Sequence, residues 1–316
     1  MPPRRHRRAV SLRHHLCVSN TVLPLIQRAG VPVVVLNLQP EAAIDYRAFN
    51  RLEDRTAMTG EWLAHCSACP VPEIANLLKR AQIHFHQVTG VLDETLTWQE
   101  IEEWLAAARV RSALASSRLG LMGHYYSGML DIMTDVTLGT SLLTARHIPV
   151  TGQYEVKNAM AMKIMDLLGA GGSFTEYYAM DFNDDLVLMG HDGPGHIAIA
   201  QGKTKVRPLK VYHGKVGRGL SVEMSVRYGP VTLLSVVEDA DSRFKLVVAE
   251  GECIAGEILE IGNTNSRYRF PLGARGFVNA WNEQGPAHHC AVGVGHVAAT
   301  LEKAATLMGI VFHQVC

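Results

Sequence analysis

Three places in the chain combine residue types that can hold a metal ion or move a proton. Glu176 sits in SFTEYYAMDF, an otherwise mostly aromatic and apolar stretch. A carboxylate there must be paired, protonated or bound to a cation. His191 and His196 bracket the turn-rich segment GHDGPGH, and His288 and His289 follow Gly285-Pro286-Ala287 and precede Cys290. Adjacent residues of an extended chain face opposite sides, so at most one of His288 and His289 serves as a ligand. The plainer reading has one packed and one solvated, and the same holds for His191 and His196. Residue type alone points to a mixed Glu/His site for a divalent ion.

Two other motifs carry less. Cys66-Ser67-Ala68-Cys69 is a C-x-x-C pair, the pattern of a redox couple or of half a zinc site. No second C-x-x-C accompanies it, and it reads as ordinary thiols. Gly169-Ala170-Gly171-Gly172-Ser173 follows a helix and precedes a strand, whereas phosphate loops run from strand to helix. It reads as a helix cap followed by a close backbone approach.

The elements that must position these residues fall into two sets. In the first, Val31 to Leu36 is a β-branched run expected of a strand buried on both faces. Pro72 to Arg80 is helical, Ile83 to Phe85 a short strand, Trp98 to Ala108 an amphipathic helix, and Arg118 to Met122 a third strand. This alternation predicts βαβ units and a partial doubly wound parallel sheet. In the second, a helix over Glu155 to Leu168 ends at Gly169. Closely spaced strands follow: Phe174 to Tyr178, Leu186 to Leu188, Ile197 to Ala200, Leu209 to Tyr212, Ser221 to Val226, Val231 to Val237, Lys245 to Ala249 and Glu257 to Ile261. Turn residues separate them, which predicts a mostly antiparallel, β-barrel-like domain. Helices over Ala274 to Asn282 and Val297 to Leu307 and a strand over Ile310 to His313 flank it. The boundary is placed between domains 1–136 and 137–316.

Composition narrows the function classes. With 47% hydrophobic and 19% charged residues, the 316-residue chain can bury sizeable cores, which excludes a disordered protein. Thirty basic and thirty acidic residues balance, which argues against a nucleic-acid partner or an anionic membrane surface. No apolar run approaches a membrane span. Met1 to Arg8, MPPRRHRR, lacks the apolar stretch of a signal peptide and reads as a frayed terminus. Six cysteines make no disulfide framework and fit a reducing cytoplasm.

The run KNAMAMKIMDLLGAGGSFTEYYAMDFNDDLVLMGHDGPGHIAIA, with GNTNSRYRFPLGARGF and GPAHHCAVGVGH, resembles the L-arabinose isomerase and L-fucose isomerase superfamily, closest to its arabinose-isomerase-like branch. SNTVLPLIQRAGVPVVVLNLQPEAAIDY through LGLMGHYYSGMLDIMTD resembles that family's N-terminal domain. The resemblance implies an aldose–ketose isomerase that moves a proton between C1 and C2 through an enediol. It implies a bound Mn²⁺, or another divalent ion such as Co²⁺ or Mg²⁺, a sugar substrate (aldopentose or aldohexose), a homo-oligomer and a cytoplasmic place in pentose metabolism. It carries metal ligation onto Glu176, His191 and His289, and general acid/base work onto Glu176. His191 follows Glu176 by 15 residues, and His289 follows His191 by 98, in the family's order.

Two departures stand out. The position of the family's other glutamate is occupied by Gln153, in TGQYEVK. An amide offers a carbonyl oxygen to an ion but takes up no proton, so metal affinity and turnover are expected to fall. Between MLDIMTDVT and LGTSLLTARHIPV most of the family's central domain is missing, as is the start of the first domain, so the chain reads as front-truncated and internally deleted. These departures support a second reading, a non-catalytic sugar- or metal-binding remnant. A third, a C-x-x-C redox protein, requires a disulfide between Cys66 and Cys69.

Overall fold

The structure is a computed structural model that describes residues 19–43, 45–54, 56–60, 70–117, 156–191, 200–208, 211–212, 215–216, 220–256, 264–286 and 289–316. The chain divides into two compact units, residues 1–108 and 109–316. The boundary expected from the sequence, at 136/137, lies outside the described residues, as does the expected strand Arg118 to Met122.

The first unit holds α1 (Ser19–Ala29), β1 (Val33–Gln39), α2 (Tyr46–Asn50), α3 (Val71–Arg80), β2 (Phe85–Val91) and most of α4 (Thr95–Ser116). β1 and β2 pair in parallel, from Val33 opposite Phe85 to Gln39 opposite Val91. The pairing needs apolar cover on both faces, and the sequence supplies it. Val22 and Ile26 of α1 and Ile74 and Leu78 of α3 pack with Val33, while Ile101 of α4 packs with Leu38 and Val88. Helices on both faces of a parallel pair are the expected doubly wound arrangement, seen here in two described strands. The second strand is displaced from the expected Ile83 to Phe85: it begins at Phe85 and runs to Val91.

The second unit continues with α5 (Val156–Leu167), β3 (Ser173–Asp181) and β4 (Leu186–His191). Then come β5 (Ala200–Pro208), β6 (Val211–Tyr212), β7 (Lys215–Val216), β8 (Leu220–Val226), β9 (Gly229–Glu238), β10 (Phe244–Ile254) and β11 (Thr264–Arg269). It closes with α6 (Gly273–Glu283), β12 (His289–Val294), α7 (Ala298–Met308) and β13 (Val311–Gln314). Seven described strands form one sheet in the order β11-β4-β3-β12-β9-β10-β13, and β5–β8 and β6–β7 are separate two-stranded ribbons. β9 runs along one side of β10. Along the other side, the start of β10 pairs in parallel with β13 and its end pairs with β11. The expected barrel is not established to that degree: what the described strands give is a mostly antiparallel sheet with one extra pairing. Expected strands at Ile197 to Ala200 and Glu257 to Ile261 fall wholly or largely outside the described residues.

The sheet has two distinct faces. On one, Val231, Leu233, Val247, Tyr268, Cys290 and Val292 share a buried core with Phe277 and Trp281 of α6. Phe270 stacks on Phe277 at 3.9 Å, and Phe277 on Trp281 at 5.6 Å. The other face carries α5, which packs on β9, β12 and β3. α5 ends in a Schellman turn: Gly169 N–H donates to Asp166 O (3.0 Å) and Ala170 N–H to Met165 O (3.0 Å), with Gly169 at φ +78°. The chain then reverses so tightly that a Cβ on Gly172 would strike the Met162 carbonyl. The glycine-rich segment is thus a cap and a close approach, as its order in the sequence predicts.

Helix starts are capped from elsewhere in the fold. Leu272 gives α6 no side-chain cap, but Asp185 Oδ1 accepts from Ala274 N–H at 2.6 Å. Asp185 ends the β3–β4 turn at φ +55°, a conformation Asp tolerates. Glu250 on β10 does the same for α7, accepting from Ala298 N–H at 2.8 Å. Both place a carboxylate at the positive end of a helix.

Two substitutions test this packing. Gly172→Ala forces a methyl into the Met162 carbonyl and is expected to cost about 1–3 kcal/mol. An unchanged thermal midpoint would show that α5 does not press on the strand there. Asp185→Ala removes the α6 cap and is expected to cost about 0.5–2 kcal/mol, with Asp185→Asn retaining most of the stability. Equal losses for Ala and Asn in urea unfolding would refute a hydrogen-bonding role.

Candidate functional site

β3, β4 and β12 bring the predicted residues to neighbouring places. In the antiparallel ladder between β3 and β12, Glu176 is directly opposite His289. On the other side of β3, Glu176 is opposite Gly190, and His191 is the next residue, ending β4 opposite Thr264 of β11. Three residues distant in sequence therefore share one corner of the sheet. The β3–β4 ladder holds a bulge between Tyr177 and Ala179. Bulges locally re-aim a strand and recur beside functional sites.

The pleat assigns the ladder positions to faces. Gly172 and Gly293 face α5, because a Cβ on either would meet Met165. Positions two and four residues along a strand keep the same face. Position 176 therefore lies on the α5 side with 172 and 174. Position 289 lies there with 291 and 293, in agreement with the direct 176–289 pairing. Position 191 alternates to the other side of position 190. The register thus sets Glu176 and His289 together and His191 one step off.

The backbones of Glu176, His191 and His289 are described and their side chains are not. Gln153, Glu155, His196, His288, Cys66 and Cys69 lie outside the described residues. Among the described residues, no group of three or more His, Cys, Asp or Glu side chains is placed to hold a metal ion.

The electrostatic surroundings on the core face are neutral. Burial pushes the Tyr268 phenol well above its ordinary value, so it stays protonated. Burial raises the Cys316 thiol to about 11, which keeps it from reacting as a thiolate near neutral pH. Cys253 and Cys290 are buried thiols outside any disulfide, and the Cys253 thiol donates to the Val226 carbonyl at 3.4 Å. Among the described residues, no helix is long and apolar enough to cross a membrane.

Spacing alone does not mark two residues that the structure brings forward. Asp185 reads in the sequence as part of an ordinary Asn-Asp-Asp turn, and Asn158 as one of several polar residues in a helix rich in Ala and Met. Only their tertiary surroundings distinguish them.

Residues 171–311 match the family of the L-arabinose isomerase C-terminal domain. Glu176, His191 and His289 all fall inside that match. Among curated proteins, none matches the chain. Residues 171–311 form the sheet just described from the start of β3 to the start of β13, so the similarity to the L-arabinose isomerase C-terminal domain covers that part of the chain.

Proposed function

We propose that the chain is an aldose–ketose isomerase of the arabinose-isomerase type, acting on an aldopentose or aldohexose. The observation that carries this is the ladder pairing of Glu176 with His289, and the place of His191 beside it, within the family match. One carboxylate and two imidazoles are a donor set suited to Mn²⁺ or Co²⁺, and less to Mg²⁺. Glu176 and His289 would hold such an ion, with His191, at the end of β4 one step off their face, as a further ligand and Gln153 offering an amide oxygen. When bound, the ion supplies positive charge that offsets charge developing on the substrate's O1 and O2.

The chain's own chemistry is then a proton transfer. The Glu176 carboxylate takes the proton from C2 of the open-chain aldose, leaving an enediolate with its charge on O1, and the O2 hydroxyl proton then passes to O1. The same carboxyl returns a proton to C1, giving the ketose with no net gain or loss of protons. Gln153 takes no part in this transfer, because an amide is not a base at neutral pH. The corner where β11 meets the end of β10 fits a barrel-like domain behind this site. Homo-oligomeric assembly and a cytoplasmic role in pentose use complete the reading. Gln153 specifically supports a second reading, a sugar- or metal-binding remnant without turnover.

Titration of the purified chain with Mn²⁺, followed by loss of the free-ion EPR signal, is expected to show one tight ion per chain. Absence of tight binding would overturn the isomerase reading. Gln153→Glu restores a carboxylate and is expected to tighten Mn²⁺ binding and raise aldose turnover by on the order of 10²-fold or more. Tighter metal binding with no turnover would favour the remnant.

A further inference from the structure

The chain balances thirty basic against thirty acidic residues, but the two signs are segregated along it. Residues 200–226 hold six basic residues and one acidic. Their described strands nest as one hairpin: β5 pairs with β8 from Ala200 opposite Val226 to Pro208 opposite Leu220, and β6 pairs with β7 inside it. Lys205 is opposite Glu223 and Arg207 opposite Ser221, so these four positions share one face of the ribbon. Val206 opposite Val222 and Pro208 opposite Leu220 make the alternate face apolar. The hairpin is thus amphipathic, with a basic face.

The opposite sign collects at the start of α4. Residues 93–103 hold five acidic residues and no basic one. α4 packs Ile101 on Leu38 and Val88. On its other side Trp98, Glu102 and Leu105, spaced by four and three residues, form one stripe. All three are exposed, Trp98 by 42% and Leu105 by 46%, and Leu96 in the same first turn is 69% exposed. A helix that packs on one side normally presents polar residues on the other, so a Trp and two Leu among carboxylates mark a contact surface. The indole is already fixed, its Nε1–H donating to the Leu92 carbonyl at 2.6 Å, so covering its ring costs little further entropy.

We infer that this exposed face of α4 seats the basic hairpin, residues 200–226, of a second copy of the chain. Basic side chains suit both parts of the face: their charges pair with carboxylates, and their cationic heads and aliphatic stems cover an indole ring. A net charge of zero leaves no long-range repulsion between copies, so the segregated patches draw unlike surfaces together. The two surfaces differ, so the contact is head-to-tail, and each copy offers one hairpin and one α4 until the assembly closes into a ring. The inference concerns assembly and does not depend on the isomerase reading, which the Mn²⁺ titration tests separately.

Sedimentation velocity on the full chain tests it, at low salt and at about 1 M NaCl, where screening shortens to roughly 3 Å. Wild type is expected to associate at low salt, and the association to weaken by on the order of 10-fold or more at high salt. Two charge-reversed variants are compared: Lys205→Glu, Arg207→Glu, Lys215→Glu in the hairpin, and Asp93→Lys, Glu100→Lys, Glu102→Lys on α4. Each alone is expected to lose the association. An equal mixture is expected to regain it, because the reversed hairpin of one variant meets the reversed helix of the other, and the remaining two surfaces are those of wild type. Leu105→Lys alone reads the same contact should a triple variant melt early, and is expected to weaken association by on the order of 10-fold or more with the thermal midpoint held. Folded variants that fail to associate when mixed would overturn the inference. So would a wild-type chain that is monomeric at low salt, or an association that Leu105→Lys and the reversed variants leave unchanged.

Discussion

The contact between α5 and the sheet at Gly172 and Gly293 is the constraint from which the rest of the second unit follows. Neither position has room for a side chain, because Met162, Met165 and Ala170 fill the space. The helix backbone therefore comes nearer to β3 than ordinary side-chain packing allows. This close approach requires the chain to reverse within a few residues of Leu167, and the Schellman turn at Gly169 satisfies the orphan carbonyls while it does so. Once the reversal is set, the direction of β3 is fixed. So is the face on which position 176 lies, and with it the partner position on β12.

The two faces of the sheet divide the work. The face toward α6 is apolar and aromatic and has no charged residue in its core cluster. Its burial, at about 25 cal/mol per Å² of apolar surface, stabilises the unit. The face toward α5 tolerates features that a core selected for stability alone would avoid: an unsatisfied amide at Asn158, a bulge in β3, and a carboxylate and an imidazole at adjacent ladder positions. Proteins accept such local costs where a site is built and offset them elsewhere. The carboxylates that stabilise helix ends, Asp185 and Glu250, hold α6 and α7 to the sheet.

Much of this architecture was legible in the sequence where local physics decides it. α5, α6 and α7 begin and end within one residue of the expected bounds, because apolar periodicity and capping glycines mark them. β9 and β10 were marked by runs of Val and Leu. β11 was not marked: TNSRYR is polar and lacks β-branched alternation, and it is a strand because β4 and β10 supply its hydrogen-bond partners. α1 was also not marked, since Pro24 in its interior argues against a helix until Val22 and Ile26 are seen packed on Val33. For the site, residue types pointed to Glu176 and His289, but their register pairing is a tertiary fact. A slip of one residue would move either to the opposite face.

Under the proposed isomerase reading, the register and Gln153 act on different terms of the same metal-binding free energy. The sheet determines how well Glu176 and His289 are preorganised, and preorganised ligands spare an ion the entropy of gathering them. On that reading Gln153 sets charge, since an amide in place of a carboxylate removes one unit of attraction for a dication. Under the isomerase reading the donor set becomes one carboxylate, two imidazoles and a neutral amide. Mg²⁺ relies most on oxygen anions and loses most by that exchange. Mn²⁺ and Co²⁺ accept imidazole and lose less, in the order in which their affinity for nitrogen ligands rises. On the proposed reading, Gln153 therefore shifts the site toward metals that bind through the histidines, and the part of the proposed site that matters most for holding them is the part that the sheet register supplies.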